Sequence, residues 1–352
     1  MLGKEKDQFA LFGTMPLESV LPQGHPLRTI RVLFDEVWCQ VSPSFDTAYG
    51  TGGKVGIAPA ILIRAWLLKA LYSIKSERAL CEMISMNLGF RWFIGLDWDD
   101  KVFDHSTLSF NRERLFGNGA AEAVLGEVVR LIQSKNLIQS DRLVVDGTLI
   151  KAWASHKSFR PKDEEEPPKG GTGKFKGMKR SNETHESKTD KDAKLFRKGD
   201  GMEAIICHLG TVLVDSETGF VTAAKVTAPC GQGENAEVKA ALELADEHVP
   251  EGKTLVADRG YDCQRFTKGL RKMGVKPHAR AKSRGSSLDG RTTSRESYKA
   301  SMKVRYVVEG FFGWLKSNGR MRQTMLRGTE KVGWEFLLYC TAFNLRKLAI
   351  AG

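Results

Sequence analysis

The spacing of apolar residues divides the chain into a helical first part and a strand-rich second part. Residues 61–71 are apolar except for Arg64 and Lys69 and predict a buried helix. Ser76, just before Glu77, supplies an N-cap for the next helix. Val124, Val128, Leu131 and Ile132 recur at i, i+4, i+7 and i+8, one face of a further helix. The apolar and aromatic cluster 91–96 reads as core, and Asn136 and Ser140 then break the helical period. From Arg142 onward the pattern shortens to strands. Residues 143–145 run into Asp146-Gly147, which reads as a strand ending in a turn. Residues 204–207, 212–214, 220–226, 254–257 and 276–279 are further strands, with 215–219 as a hairpin turn. Helices are expected over 236–245, 264–273 and about 300–316. This order predicts a mixed α/β layer fold behind an all-helical part.

Length and composition fit two or three globular domains: 352 residues, 41% hydrophobic and 27% charged. The change of pattern sets the expected boundary near 140, giving a helical domain over 1–140 and an α/β domain over 141–352. No apolar run reaches the roughly 20 residues of a membrane helix, and the first residues lack a secretory core. The six cysteines form no CxxC pair. Reduced thiols in a cytoplasm are therefore expected, rather than disulfides or a zinc site.

Charge sharpens the picture. The net charge is +12, yet residues 1–140 carry 15 basic and 15 acidic residues. The excess is concentrated in residues 259–331, with 19 basic against 5 acidic. Such a stretch favours a nucleic-acid partner, because neutralised phosphates release counterions; general solubility is the alternative. The polar stretch 155–200 has too few apolar residues to bury and is expected to be a mobile loop, or one ordered by DNA.

Asp146 and Asp258 each follow an apolar strand and precede a small or turn-forming residue. Taken singly, either fits an ordinary turn. Together, at adjacent strand ends, they can share divalent cations, and hard oxygen ligands suit Mg²⁺. Arg305, Glu309 and Lys316, spaced four and seven apart, fall on one face of the helix expected there. A Glu between two basic residues can complete a metal site while its neighbours hold phosphates; a surface salt-bridge row is the alternative. His105 reads as part of a helix start, His208 and His278 as structural, and Trp314 as core rather than a base-stacking surface. Trp153 stays open between the two roles.

The order Val-Val-Asp146-Gly-Thr, Ala257-Asp258-Arg259-Gly260-Tyr261 and Arg305-x3-Glu309-x6-Lys316 resembles the DDE transposases of bacterial insertion sequences. The group founded by insertion sequence five is the most similar. Residues 67–78, 90–93, 104–107 and 192–199 resemble further segments of that group, so the likeness covers most of the chain. One departure stands out: Met302 occupies the place where the family motif usually has a Tyr, three residues before the Arg, and Tyr298 and Tyr306 are out of register with it.

The resemblance implies an RNase H-like catalytic core, with a mixed sheet flanked by helices, in which Asp146, Asp258 and Glu309 bind two Mg²⁺ ions, with Mn²⁺ as a substitute. Arg305, Lys316, Arg259 and Arg320 would contact DNA phosphates. It further implies cleavage at transposon ends, joining to target DNA, a homodimer on double-stranded DNA, and a bacterial, nucleoid-associated protein without membrane contact. A nuclease that cuts without joining, or a DNA-binding protein that has lost catalysis, are the other readings.

Overall fold

A computed structural model describes residues 16–19, 21–43, 45, 56–162, 180–197, 201–229 and 236–351. Among the described residues of the first part are six α-helices: α1 (Pro26–Val41), α2 (Pro59–Leu71), α3 (Glu77–Met86), α4 (Leu88–Ile94), α5 (His105–Phe116) and α6 (Ala120–Ser134). Leu27, Ile30, Phe34, Val37 and Val41 recur at helical spacing and form the buried face of α1. Ser76 caps α3 by accepting from the Ala79 N–H at 3.1 Å, as its position predicts. Asp104 caps α5 through the Ser106 N–H at 2.8 Å. His105 is the first residue of α5, so it does help open a helix.

The second part is built on a mixed sheet. Its strands are β1 (Arg142–Lys151), β2 (Phe159–Pro161), β3 (His185–Ser187), β4 (Lys194–Phe196), β5 (Ile205–Asp215) and β6 (Val221–Thr227), followed by β7 and β8 below. Helix α7 (Ala236–His248) leads into β7 (Thr254–Ala257), and α8 (Gln264–Lys272) into β8 (Lys276–Ala279). Then come α9 (Gly290–Ser294), α10 (Glu296–Val304), α11 (Val307–Ser317) and α12 (Thr329–Ala351). The core order is β6-β5-β1-β7-β8, with β4 also on the outer edge of β5. β5 is antiparallel to both neighbours, whereas β7 and β8 run parallel to β1. Three antiparallel strands followed by two parallel ones, with helices on both faces, is the RNase H-like arrangement.

Three expectations change. First, β1 does not end in a turn at Asp146-Gly147; its pairing with β5 continues to Lys151. Thr148, Leu149 and Ile150 carry the strand onward. Gly147 is a packing glycine, since a Cβ there would lie 3.1 Å from Leu209 Cδ1. Second, the runs 204–207 and 212–214 are one strand. All of β5 after Ile205 is buried, so it is covered on both faces and shows no alternation. Third, the polar stretch 155–200 is not all loop. β2 pairs with β3, and β4 adds to the sheet. Residues 163–179 and 198–200 of that stretch lie outside the described residues.

What anchors the stretch is a buried pair: His208 Nε2 on β5 lies 3.0 Å from Asp190 Oδ2, both side chains being almost wholly shielded. Burial raises the Asp190 pKa, but the His208 contact and the N–H groups of Gly328 and Ala193 pull it down overall. His208 is structural, yet it is not isolated from a carboxylate.

Helix α12 joins the two parts. It packs on α1, α2 and α6 as well as on β5 and β6. Gly210 on β5 lets it approach, because a Cβ there would sit 2.9 Å from Phe336 Cζ. Lys69 Nζ on α2 donates to Glu335 Oε1 of α12 at 2.6 Å, and Thr324 Oγ1 donates to Glu335 Oε2 at 2.9 Å. A hydrophobic core runs without interruption from Leu17 to Leu348 on this side of the sheet. A second core lies on the other face, under α7 and α8. Among the described residues no helix is long and apolar enough to cross a membrane.

Candidate active site

Parallel pairing sets the two aspartates side by side. Val145 on β1 pairs with Ala257 on β7, so Asp146 and Asp258 are the next residues along adjacent strands. Their neighbours Val145 and Ala257 point into the core under α7 and α8. Alternation therefore directs both carboxylates to the other face, where α11 lies. That face carries Val144, Val256, Val308, Phe311 and Leu315. Asp146 is partly shielded, and its Oδ1 accepts from the Gly147 N–H at 2.8 Å.

Asp258, one residue beyond β7, is half-exposed and accepts an ion-paired hydrogen bond from Arg305 Nη1. The Arg305 side chain is 10% exposed, and its guanidinium lies 4.0 Å from the centre of the Tyr306 ring. The stretch around 300–316 is thus not one helix. The chain breaks at Arg305-Tyr306, between α10 and α11. Arg305 turns inward to Asp258 there, while α11 lays its apolar face on the sheet. Glu309 stands exposed in the first turn of α11, and Lys316 is partly buried in the last. Seven residues apart, these two share a face of α11; Arg305 lies before it.

Asp146, Asp258 and Arg305 are therefore brought together, with Glu309 four residues further along the chain. Among the described residues no three His, Cys, Asp or Glu side chains are gathered into a metal ligand set. Arg259 is exposed on the 3-10 turn Arg259–Tyr261 that follows Asp258. Arg320, also exposed, holds a left-handed φ of 56° after α11. Met302 is no part of this constellation; it fills space between the two cores. Trp314 is core, against Phe343 and Tyr339, whereas Trp153 is 51% exposed.

Two neighbours of the aspartates escape a reading of strand ends. Tyr261 is buried, and its hydroxyl has no hydrogen-bond partner among the described residues. Burial, then the charges of Asp146 and Glu237, push its pKa well above the usual tyrosine value. Glu237, in the first turn of α7, has its Cγ 3.7 Å from where a Gly147 Cβ would be. A carboxylate opening the helix after β6 was the available signal, and it is a weak one.

Two family descriptions match the chain: a transposase domain (DUF772) over residues 15–114 and a transposase DDE domain over residues 207–345. No curated protein sequence matches. Among solved structures, a piggyBac transposase synaptic complex with hairpin DNA is similar at 10% identity and TM-score 0.43, over 96% of this chain and 77% of that one. A Mos1 transposase paired-end complex with the left transposon end is similar at 10% identity and TM-score 0.19, over 81% and 87% of the two chains. A transposase domain across α1 to α5 and a transposase DDE domain from β5 into α12 make this chain a DNA transposase of the DDE class.

Proposed function

We propose that Asp146, Asp258 and Glu309 are the catalytic carboxylates, and that the enzyme cuts at transposon ends and joins them to target DNA. We place it in the group founded by insertion sequence five. The observation that carries this is the register of β1 and β7, which puts two carboxylates next to each other on the face covered by α11. The donors suit a hard divalent cation, since all three are carboxylate oxygens. Asp258 is ion-paired with the Arg305 guanidinium, which supports reading it as an ionised carboxylate.

Mg²⁺, or Mn²⁺ in its place, would be held by the three acids. When bound it would supply an activated oxygen nucleophile and stabilise the leaving oxygen. The chain's own groups do the rest. Arg305, buried behind Asp258, orients that carboxylate and would offer its remaining N–H groups to a phosphate oxygen. Lys316, Arg259 and Arg320 add positive charge along the DNA backbone. Helices of residues 1–140 form an end-recognition domain, residues 141–352 the catalytic one, and two chains hold the two ends together.

The test is cleavage and strand transfer on a duplex carrying the element's own end, with and without Mg²⁺. Metal-dependent joining, abolished by Glu309→Gln, is the expected result. Cutting without joining would make the enzyme a nuclease, and joining that survives Asp258→Asn would remove the carboxylate assignment.

A further inference from the structure

The parallel strands begin at the edge of the sheet opposite the aspartates. Arg142 opens β1 and pairs with Thr254, the first residue of β7, which in turn pairs with Lys276, the first residue of β8. Beside them, between the end of α8 and the α9–α10 junction, lies a groove of about 530 Å³. Four steps of about 3.3 Å along β7 separate this edge from Asp258, roughly 13 Å.

Four cations line the groove: Arg142, Arg271, Lys276 and Arg295. Arg271, Lys276 and Arg295 are exposed. Among the described residues none of the four forms an ion pair with a carboxylate; Asp141, which also lines the groove, is paired with Lys253 Nζ at 3.0 Å and feels the charges of Lys276 and Arg142, as Asp289 feels that of Arg271. The lining includes the hydroxyl residues Thr292 and Ser297 but no aromatic ring other than His278. His278 is buried, with Nδ1 2.8 Å from Ser301 Oγ. Burial, then the charges of Arg142, Lys276 and Arg295, push its pKa down to about 4, in keeping with their position around it.

Four cations against the single carboxylate of Asp141 in the lining leave a net positive charge that repels itself, and a polyanion relieves that repulsion. The floor offers no surface for stacking a base, so phosphates rather than bases fit it. We propose that this groove is a second DNA-contact surface, which holds the phosphodiester backbone of a duplex segment away from the bond being cut. The inference does not rest on the carboxylate assignment: the groove keeps its charge whichever acids do the chemistry.

The test uses the full chain carrying Arg271→Ala, Lys276→Ala and Arg295→Ala together, all at exposed positions. Binding of a labelled random-sequence duplex is titrated over a range of salt. Loss of three phosphate contacts should lower the slope of log affinity against log salt by about 2–3, at roughly 0.9 per contact. Affinity at low salt should fall at least about 10-fold, with the turnover of saturating end duplex unchanged. An unchanged slope and affinity would overturn the proposal. A parallel arm titrates the wild type with inorganic phosphate at constant ionic strength. If phosphate perturbs the groove while the triple variant keeps the full DNA slope, the groove serves free anions and the DNA proposal fails. Asp258→Asn should do the reverse of the triple variant, abolishing cutting and leaving the salt slope intact.

Discussion

Asp146 and Asp258 owe their nearness to backbone pairing rather than to any interaction of their own, so replacing either should leave the fold in place. Asp258→Asn is expected to cut strand transfer by about 100-fold or more, the scale for removing a group at the reacting atoms, while duplex binding stays within about twofold of wild type. A gel-based joining assay beside a binding titration checks both halves.

His278 makes a different kind of prediction. Its folded pKa is held near 4 against an ordinary 6.5, so the fold prefers the neutral ring. Between those values the unfolded chain binds the extra proton. The stability contributed is therefore complete above pH 6.5 and lost as pH falls toward 4, by about 3 kcal/mol over the whole window. Urea unfolding at pH 7 and pH 5 should show the loss, and His278→Gln should flatten it.

At this scale Asp146 and Asp258 could be singled out because each follows an apolar run, although Asp146 stands inside β1, and Arg305 and Glu309 by their spacing of four, although Arg305 lies at the break before α11. The Arg305–Asp258 pair could not, since it depends on where the chain breaks between α10 and α11. Glu237 and Tyr261 were hidden for a related reason. Neither sits in a local pattern that differs from an ordinary helix start or turn.

Elements explain where the sequence pattern misled. A continuous apolar stretch reads as several strands when polar residues interrupt it, but β5 is sandwiched on both faces and absorbs His208, Thr211 and Asp215. Strands 254–257 and 276–279 emerged at their observed bounds because both are short and bracketed by turn residues. The 155–200 stretch misled for want of its partner: Asp190 is an ordinary polar residue until His208 on β5 receives it.

Asp190→Ala should cost about 2–3 kcal/mol, the range for a buried hydrogen bond to a charged group, and should free residues 180–197 to exchange amide protons quickly. Hydrogen exchange by mass spectrometry reads both effects. Slow exchange in the variant would show that the strand pairing alone holds the segment. Gly210 is a second element-scale device. Gly210→Val would drive its side chain into Phe336, so α12 must shift; a loss of about 1–3 kcal/mol in urea unfolding is expected, and a neutral outcome would mean that Phe336 swings aside.

For the whole molecule, the helical part and the sheet are one mechanical unit through α12. The Lys69–Glu335 ion pair and its Thr324 hydrogen bond sit in that junction. Burial raises the Glu335 pKa, but Lys69 draws it below 4.5 overall. Its contribution is therefore present above pH 4.5 and lost as pH falls through the folded value. Acid unfolding of wild type and Glu335→Gln should converge at low pH, whereas wild type should be the more stable at pH 7. The helical class of the first part and the α/β class of the second were both legible in the chain. The role of α12 was not, because its apolar residues run around the helix and give no direction to its partners.

That junction also has a consequence in time. About 195 residues separate the end of α6 from the start of α12. At roughly 5–20 residues per second of synthesis, α1, α2 and α6 wait on the order of 10–40 s for the helix that covers them. During that interval the part of their apolar surface that α12 covers stays open, which favours capture by chaperones before the fold is complete.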